Sequence, residues 1–470
     1  MDYLNTKGLT RPPVTVIDAI MGSGKTTWMI EYMNRMAARD QFHGGQPCKF
    51  IYVTPLLSET DRIRSACPIA DFKNPVPRHG SKFYDFKTLL REGQNIATTH
   101  SLFSQLDREC YDLIKDQGYT LVIDEALNCL EVFDGLSKAD REMLFNSDMV
   151  FVEEETKKLR WNHELHGRYT GKFEQIKSLC DNGNLVVYSS NGSRTVLIWE
   201  FAVDFLFSFR DVFILTYLFK GSPMSLYLVT EGFSFDHMSI QVDYVGDQVT
   251  RNIVNYDDVD EGAIKTKLRS LISIYEGPRN KVGERIADKG SYPFTSTWFD
   301  TELRKGKMSR LTKIRNTTVK FFEVDAKTPS ALNGWTTLKK AESELRGKGY
   351  AKGFIPINSK ATNDYAQKTS LAYLANVYYQ TIIKQFFQSK GMVVYEDLYA
   401  LSEMLQWVFR SAIRNDKPIT IFIPSPRMRQ LLKDWLETDN YEDLVMQIDE
   451  SRETQMVESK MRREGVEVHA

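Results

Sequence analysis

Val14-Thr15-Val16-Ile17-Asp18-Ala19-Ile20-Met21-Gly22-Ser23-Gly24-Lys25-Thr26-Thr27 decides the fold. Val14 to Ala19 is a β-rich apolar run, and Thr27 to Met36 reads as a helix. A strand therefore enters a helix through a loop of small residues. Glycines there let backbone N–H groups turn inward around a phosphate, and the helix N-terminus adds partial positive charge. Lys25 is expected to reach the β- and γ-phosphates of a nucleotide, and the Thr26 hydroxyl to coordinate Mg²⁺. Gly22, Ser23, Gly24, Lys25, Thr26 and Thr27 form the candidate nucleotide-binding set. Ala19 stands where the stricter pattern has glycine, a small departure in size.

Further apolar runs follow at Lys49–Thr54, Tyr119–Asp124 and Asp211–Tyr217, separated by helical stretches. Near-continuous apolar strands alternating with helices predict an α/β fold, a parallel sheet covered on both faces. Asp124-Glu125 closes the third of these runs. Behind a phosphate loop, Asp124 is placed to hold Mg²⁺ through water, and Glu125 to orient or deprotonate the attacking water. Residues 130–195 read as an accessory insertion. It carries a charged run, Glu153 to Arg160, and ends in a predicted hairpin of Leu185–Tyr188 and Val196–Trp199 around Asn191-Gly192.

The pattern divides the chain into a first domain over 1–222, a crossover over 223–262, a second α/β domain over 263–435 and a charged tail over 436–470. Strands in the second domain are expected at Tyr292–Thr297, Thr318–Val324, Gly353–Ile357, Met392–Tyr395 and Ile419–Ile423. A 470-residue chain with 42% hydrophobic and 12% aromatic residues has ample material for two cores and is not a disordered one. Lys plus Arg (61) nearly balances Asp plus Glu (62), so a nucleic-acid footprint has to be local. The five cysteines contain no C-x-x-C pair, which argues against a disulfide framework or a thiolate zinc site. Cys67 and Cys110 read as small buried residues, and His163 with His166 as polar side chains at the surface that hold no zinc. The start Met1-Asp2-Tyr3 lacks a signal-peptide pattern, and the apolar stretch Trp199–Phe219 carries Glu200, Asp204, Arg210 and Asp211. A soluble, reduced, cytoplasmic protein with no membrane partner is expected.

In order and spacing these segments resemble superfamily 2 helicases. Thr54-Pro55-Leu56-Leu57, Ala97-Thr98-Thr99-His100-Ser101, Asp124-Glu125-Ala126 and Leu215-Thr216-Tyr217 stand where such enzymes carry backbone contacts, the acidic box and a coupling motif. Phe354–Tyr365, with Ala361-Thr362-Asn363-Asp364-Tyr365, stands where they carry the motif joining nucleic acid to ATP. Gln406, Arg410 and Arg414 recur at i, i+4 and i+8 and are expected on one helical face. The resemblance makes Gln406 and one of the two arginines catalytic, the arginine stabilising charge at the γ-phosphate. The family places its last arginine where this chain has Ile413, and its glycine where this chain has Phe409. The wording is similar to bacteriophage replication helicases, related to the herpesvirus origin-binding helicases. The resemblance implies two RecA-like domains, ATP with Mg²⁺, and single-stranded or forked DNA as partner, with RNA and replication proteins open. It makes Thr54, Thr98, Thr99 and Thr362 nucleic-acid contacts. Two other readings use the same loop: a viral DNA-packaging ATPase, and a non-unwinding origin-binding or loading switch. No acidic nuclease cluster favours the first, and no helix-turn-helix favours the second.

Residues 262–352 hold 20 Lys or Arg against 9 Asp or Glu, densest at Arg304-Lys305-Gly306-Lys307, Arg310, Lys313 and Arg315. Such a window suits phosphate contacts, and Trp298, Phe299 and Trp335 within it are candidates for stacking on bases.

Overall fold

The computed structural model describes residues 11–43, 47–189, 195–245, 248–284, 292–306, 309–357 and 364–451. The chain forms two compact units. The first comprises residues up to Asp18, Lys25–Met238 and Tyr379–Tyr395; the second comprises Ala19–Gly24, Ser239–Tyr378 and the residues from Glu396 on.

All four apolar runs expected in the first half are strands: β1 (Val14–Asp18), β2 (Lys49–Thr54), β4 (Tyr119–Asp124) and β10 (Asp211–Thr216). Ile96–Thr99 adds β3, and Asp236–Val245 and Gln248–Asn255 add β11 and β12, giving the order β12-β11-β1-β10-β4-β2-β3. Neighbours from β11 to β3 pair in parallel. The register aligns Asp18 with Thr216, Asp124 with Leu215, and Thr54 with Thr99, so these residues share the carboxyl edge of the sheet. That edge is where α/β sheets receive ligands. Connecting helices are delimited by local chemistry. Asp107 caps Arg108–Gln117, which stops at Gly118 in the left-handed conformation (φ 64°). Ser222 and Pro223 start Pro223–Thr230.

The insertion has its own antiparallel structure. β5 (Leu130–Phe133), β8 (Leu185–Ser189) and β9 (Thr195–Glu200) pair in the order β5-β9-β8, and β6 (Val150–Val152) pairs with β7 (Leu159–Trp161). The expected hairpin is thus present as β8 and β9, while Asn191-Gly192 lies outside the described residues. Leu144, Leu159, Trp161, Phe173, Ile176 and Leu197 belong to a core local to the insertion.

The second unit contains a fully parallel sheet, β13-β16-β15-β14, formed by Ile272–Ile274, Ile419–Phe422, Ser370–Leu374 and Asn333–Thr337. Both sheets carry helices between their strands, as expected of an α/β protein. Of the strands expected in this half, Ile419–Ile423 forms. Tyr292–Thr297 instead leads into the helix Ser296–Arg304, and Thr318–Val324 continues the helix Leu311–Lys320 into a wider π-turn, Phe321–Ala326. Phe321 and Phe322 pack with Trp298, Phe299 and Trp335 in the buried core. Gly353–Ile357 contributes a single bridge, Phe354 to Trp335, and Met392–Tyr395 forms no strand.

Candidate nucleotide site

The glycine loop has the expected local geometry. Gly22 and Gly24 adopt φ of 86° and 95°, which side-chain-bearing residues rarely tolerate. The Ser23 N–H donates to the Ile20 carbonyl at 3.2 Å, Ser23 is fully buried, and its hydroxyl has no hydrogen-bond partner among the described residues. Lys25 then begins a 19-residue helix, Lys25–His43, which carries Lys25, Thr26 and Thr27 in its first turn.

Across the same edge, the Thr26 hydroxyl lies 3.5 Å from Asp124 Oδ2. The Tyr52 hydroxyl donates to the same oxygen at 2.5 Å, and a His100 ring nitrogen lies 3.1 Å from the Asp124 carbonyl. Burial pushes the Asp124 carboxyl above its ordinary range, opposed by the Tyr52 hydrogen bond and the Lys25 charge. Burial also raises the Tyr52 phenol, with Asp124 adding to it. The tyrosine therefore stays protonated and acts as donor. Glu125 sits at φ 65°, a left-handed conformation in a residue with a Cβ. Its N–H donates to Leu215 O at 2.9 Å, which fastens this turn to the tip of β10.

Sequence reasoning missed several neighbours. Asp18, 1% exposed, accepts from the N–H groups of Leu218 (2.7 Å) and Phe219 (2.8 Å), and His237 approaches it at 3.0 Å. Leu218 turns left-handed (φ 57°) to present those donors. Tyr52, His100 and Asp18 stand inside or beside apolar runs, with nothing in spacing to mark them.

The expected arginine face does not form. The helix Glu396–Val408 ends two residues before Arg410, where the Ser411 hydroxyl donates to the Val408 carbonyl at 2.6 Å and the chain turns into the 3₁₀ segment Ala412–Asn415. Gln406 remains helical and half-buried. Arg410 is 4% exposed and donates to Ile357 O at 3.3 Å, whereas Arg414 is exposed. The i, i+4, i+8 argument fails because the helical period stops before it reaches either arginine.

Two expected nucleic-acid contacts are also corrected. Thr54 and Thr98 are buried, so their hydroxyls are withheld from any ligand on the surface. Thr99 caps the short helix His100–Phe103, accepting from the Leu102 N–H at 3.4 Å, and Thr362 lies outside the described residues. Trp298, Phe299 and Trp335 are core residues rather than stacking platforms. Much of the basic window is engaged internally: Lys305 with Glu302, Lys339 with Glu342, Lys340 with Asp300 and Arg279 with Asp325. Lys313, Lys320, Lys327 and Lys348 are exposed, with no ion-pair partner among the described residues.

Cys67 and Cys110 are buried free thiols, pushed by burial up to about 11 and about 12. His163 meets Asp181 at 2.6 Å and His166 meets Ser147 O at 3.0 Å. Among the described residues, no helix is long and apolar enough to cross a membrane.

Comparison with known proteins gives three findings. The YonV C-terminal Rossmann-like domain matches residues 266–436, and the YonV middle domain matches residues 131–199, the insertion with its local core. Over 434 residues the chain is 36% identical to the SPbeta prophage-derived uncharacterized protein YonV of Bacillus subtilis (strain 168), spanning 90% of this chain and 98% of that protein. A solved structure described as an XPD helicase aligns at a TM-score of 0.44 and 12% identity, over 88% of this chain and 92% of that one.

Proposed function

Because the chain belongs to the YonV family, whose Bacillus member is described as uncharacterized, its activity has to be argued from the site. We propose that it is a Mg²⁺-dependent ATPase of helicase type, coupling hydrolysis to movement along a single nucleic-acid strand in phage replication or recombination. The observation that carries this reading is the meeting of Thr26 with Asp124, 3.5 Å apart, directly after the glycine loop and at the carboxyl edge of a parallel sheet. A hydroxyl and a carboxylate are hard oxygen ligands, which suit Mg²⁺. The ion, when bound there, supplies positive charge that neutralises the transferring phosphate.

In this reading the protein's own groups divide the work. The loop N–H groups and Lys25 hold the phosphates. Tyr52 fixes the orientation of the Asp124 carboxylate by donating to Oδ2. Glu125, held by its N–H bond to Leu215, takes the proton of the attacking water on its carboxylate. Arg414, being exposed, is favoured over Arg410 as the arginine that meets developing phosphate charge. The exposed lysines 313, 320, 327 and 348 support contact with a nucleic-acid backbone. The prophage origin of the Bacillus relative supports the phage setting.

The test is ATP hydrolysis by the full chain and by Lys25→Ala, with single-stranded DNA, duplex DNA and RNA titrated at low and moderate salt. Hydrolysis that one single-stranded form stimulates and Lys25→Ala abolishes supports the motor. Hydrolysis unchanged in Lys25→Ala refutes the site. Slow turnover indifferent to every nucleic acid refutes the helicase coupling and points to a nucleotide switch.

A further inference from the structure

Arg251, on β12, reaches the phosphate loop. Its Nε donates to the Ser23 carbonyl at 3.1 Å. A Cβ built on Gly24 would fall 2.3 Å from Arg251 Nε and 2.6 Å from its Cδ, so the guanidinium stem lies directly on the loop's last glycine. Loop and arginine belong to the same compact unit. Gly24 thus serves two ends: its φ of 95° shapes the turn, and its missing side chain leaves room for Arg251.

The bond to Ser23 uses Nε. The two Nη groups have no other partner among the described residues, and Arg251 is solvent-exposed. A guanidinium held by Nε, with its Nη pair available beside a phosphate-binding turn, is the planar fork that matches two phosphate oxygens at once. Arg251 lies about 160 residues upstream of the arginines that sequence pattern singles out, and β12 falls in a stretch read as a crossover. Ser23 adds an independent sign that the loop is built for a ligand. Its hydroxyl is fully buried and has no hydrogen-bond partner among the described residues, a costly state unless a bound group relieves it.

We propose that Arg251 is a direct ligand of the nucleotide's β- and γ-phosphates, a positioning cation additional to Lys25 that makes the site prefer tri- and diphosphates to monophosphates. This rests on the phosphate-loop reading. The Ser23 contact keeps the guanidinium at the loop before nucleotide arrives, so little side-chain freedom is lost on binding.

The experiment titrates fluorescent ATP, ADP and AMP analogues into the full chain and into Arg251→Ala, Arg251→Lys and Lys25→Ala, with a melting curve for each. Arg251→Ala is expected to weaken ATP and ADP about tenfold and AMP little, with the melting temperature kept. Arg251→Lys should recover part of the loss, since it restores charge without the fork. Unchanged ATP and ADP affinity in Arg251→Ala, or an equal loss for all three nucleotides, overturns the proposal. If Lys25→Ala weakens ATP in that same experiment, the phosphate-loop reading stands and only the role of Arg251 falls. If Lys25→Ala binds ATP as tightly as the unaltered chain, the phosphate-loop reading itself falls, and this inference with it.

Discussion

A left-handed glutamate costs roughly 1–2 kcal/mol, and residues so strained gather where geometry serves chemistry. Glu125 is held at φ 65° by its bond to Leu215 and follows directly on the half-buried, Tyr52-bound Asp124. Glu125→Gln keeps size and backbone but removes the proton acceptor. Steady-state hydrolysis should fall about 10²–10⁴-fold while nucleotide affinity is retained. Affinity lost in parallel with rate would mean that Glu125 holds the loop rather than the water. A second prediction concerns Glu200, nearly fully buried, whose carboxyl is pushed up to about 7 by burial first and by Glu231 second. A carboxyl raised in the folded state binds its proton more tightly there than in the unfolded chain. Folding stability therefore declines as pH rises from the ordinary glutamate range through about 7. Glu200→Gln should flatten that decline, gaining up to roughly 3 kcal/mol at pH 8 and nothing near pH 4, as denaturant unfolding at the two pH values reads out. At this scale the sequence marks Lys25, Thr26, Asp124 and Glu125 as candidates, because strand, glycine turn and helix fix their places locally. It does not disclose Tyr52 or Arg251, which meet the site only through tertiary packing, nor the Leu218, Phe219 and His237 groups that packing brings to Asp18.

The elements of the two halves differ in legibility for a physical reason. β1, β2, β4 and β10 are apolar runs covered on both faces, a pattern visible in one dimension. β14, Asn-Gly-Trp-Thr-Thr, is equally buried but polar in composition, and the side chains at its two ends are matched: Thr337 donates to Leu374 O at 2.9 Å and Asn333 to Gly349 O at 2.9 Å. The converse error is Thr318–Val324, whose apolar residues suit a strand but whose paired phenylalanines fill the core from a π-turn. Close backbone approach completes β14. A Cβ on Gly353 would lie 2.0 Å from the Asn333 carbonyl oxygen, which is main chain and cannot swing aside. Gly353→Ala should destabilise by about 1–3 kcal/mol. Hydrogen exchange should quicken in Asn333–Thr337 and Ser370–Leu374, with Val14–Asp18 unaffected. Uniform exchange, or an unchanged melting temperature, would show that the strand yields without loss.

At the scale of the whole molecule, the first unit takes in a strap from far along the chain, Tyr379–Tyr395. A linear reading that assigns 263–435 to one domain has no means of seeing it, since the strap's composition is ordinary and only its contacts are long-range. Its helix Thr381–Ser389 buries Ile383, Phe386 and Phe387. Phe386 meets Tyr188 of the insertion edge-on at 5.6 Å, Tyr379 donates to Gly221 O at 2.7 Å, and Lys390 pairs with Glu231 at 3.7 Å. The ion pair, partly exposed, adds little; the aromatic burial dominates. Phe386→Ala in the full chain should therefore lower stability by about 3 kcal/mol, whereas Lys390→Ala should cost less than about 1 kcal/mol. Denaturant unfolding followed by hydrogen exchange at β5, β8 and β9 separates the two cases. If both variants lose the same small amount, the strap rests on the first unit without supporting it. If Phe386→Ala alone loosens the insertion, a segment of the chain's second half is part of the fold that holds Lys25, Thr26 and Asp124, and the first unit needs it to be complete.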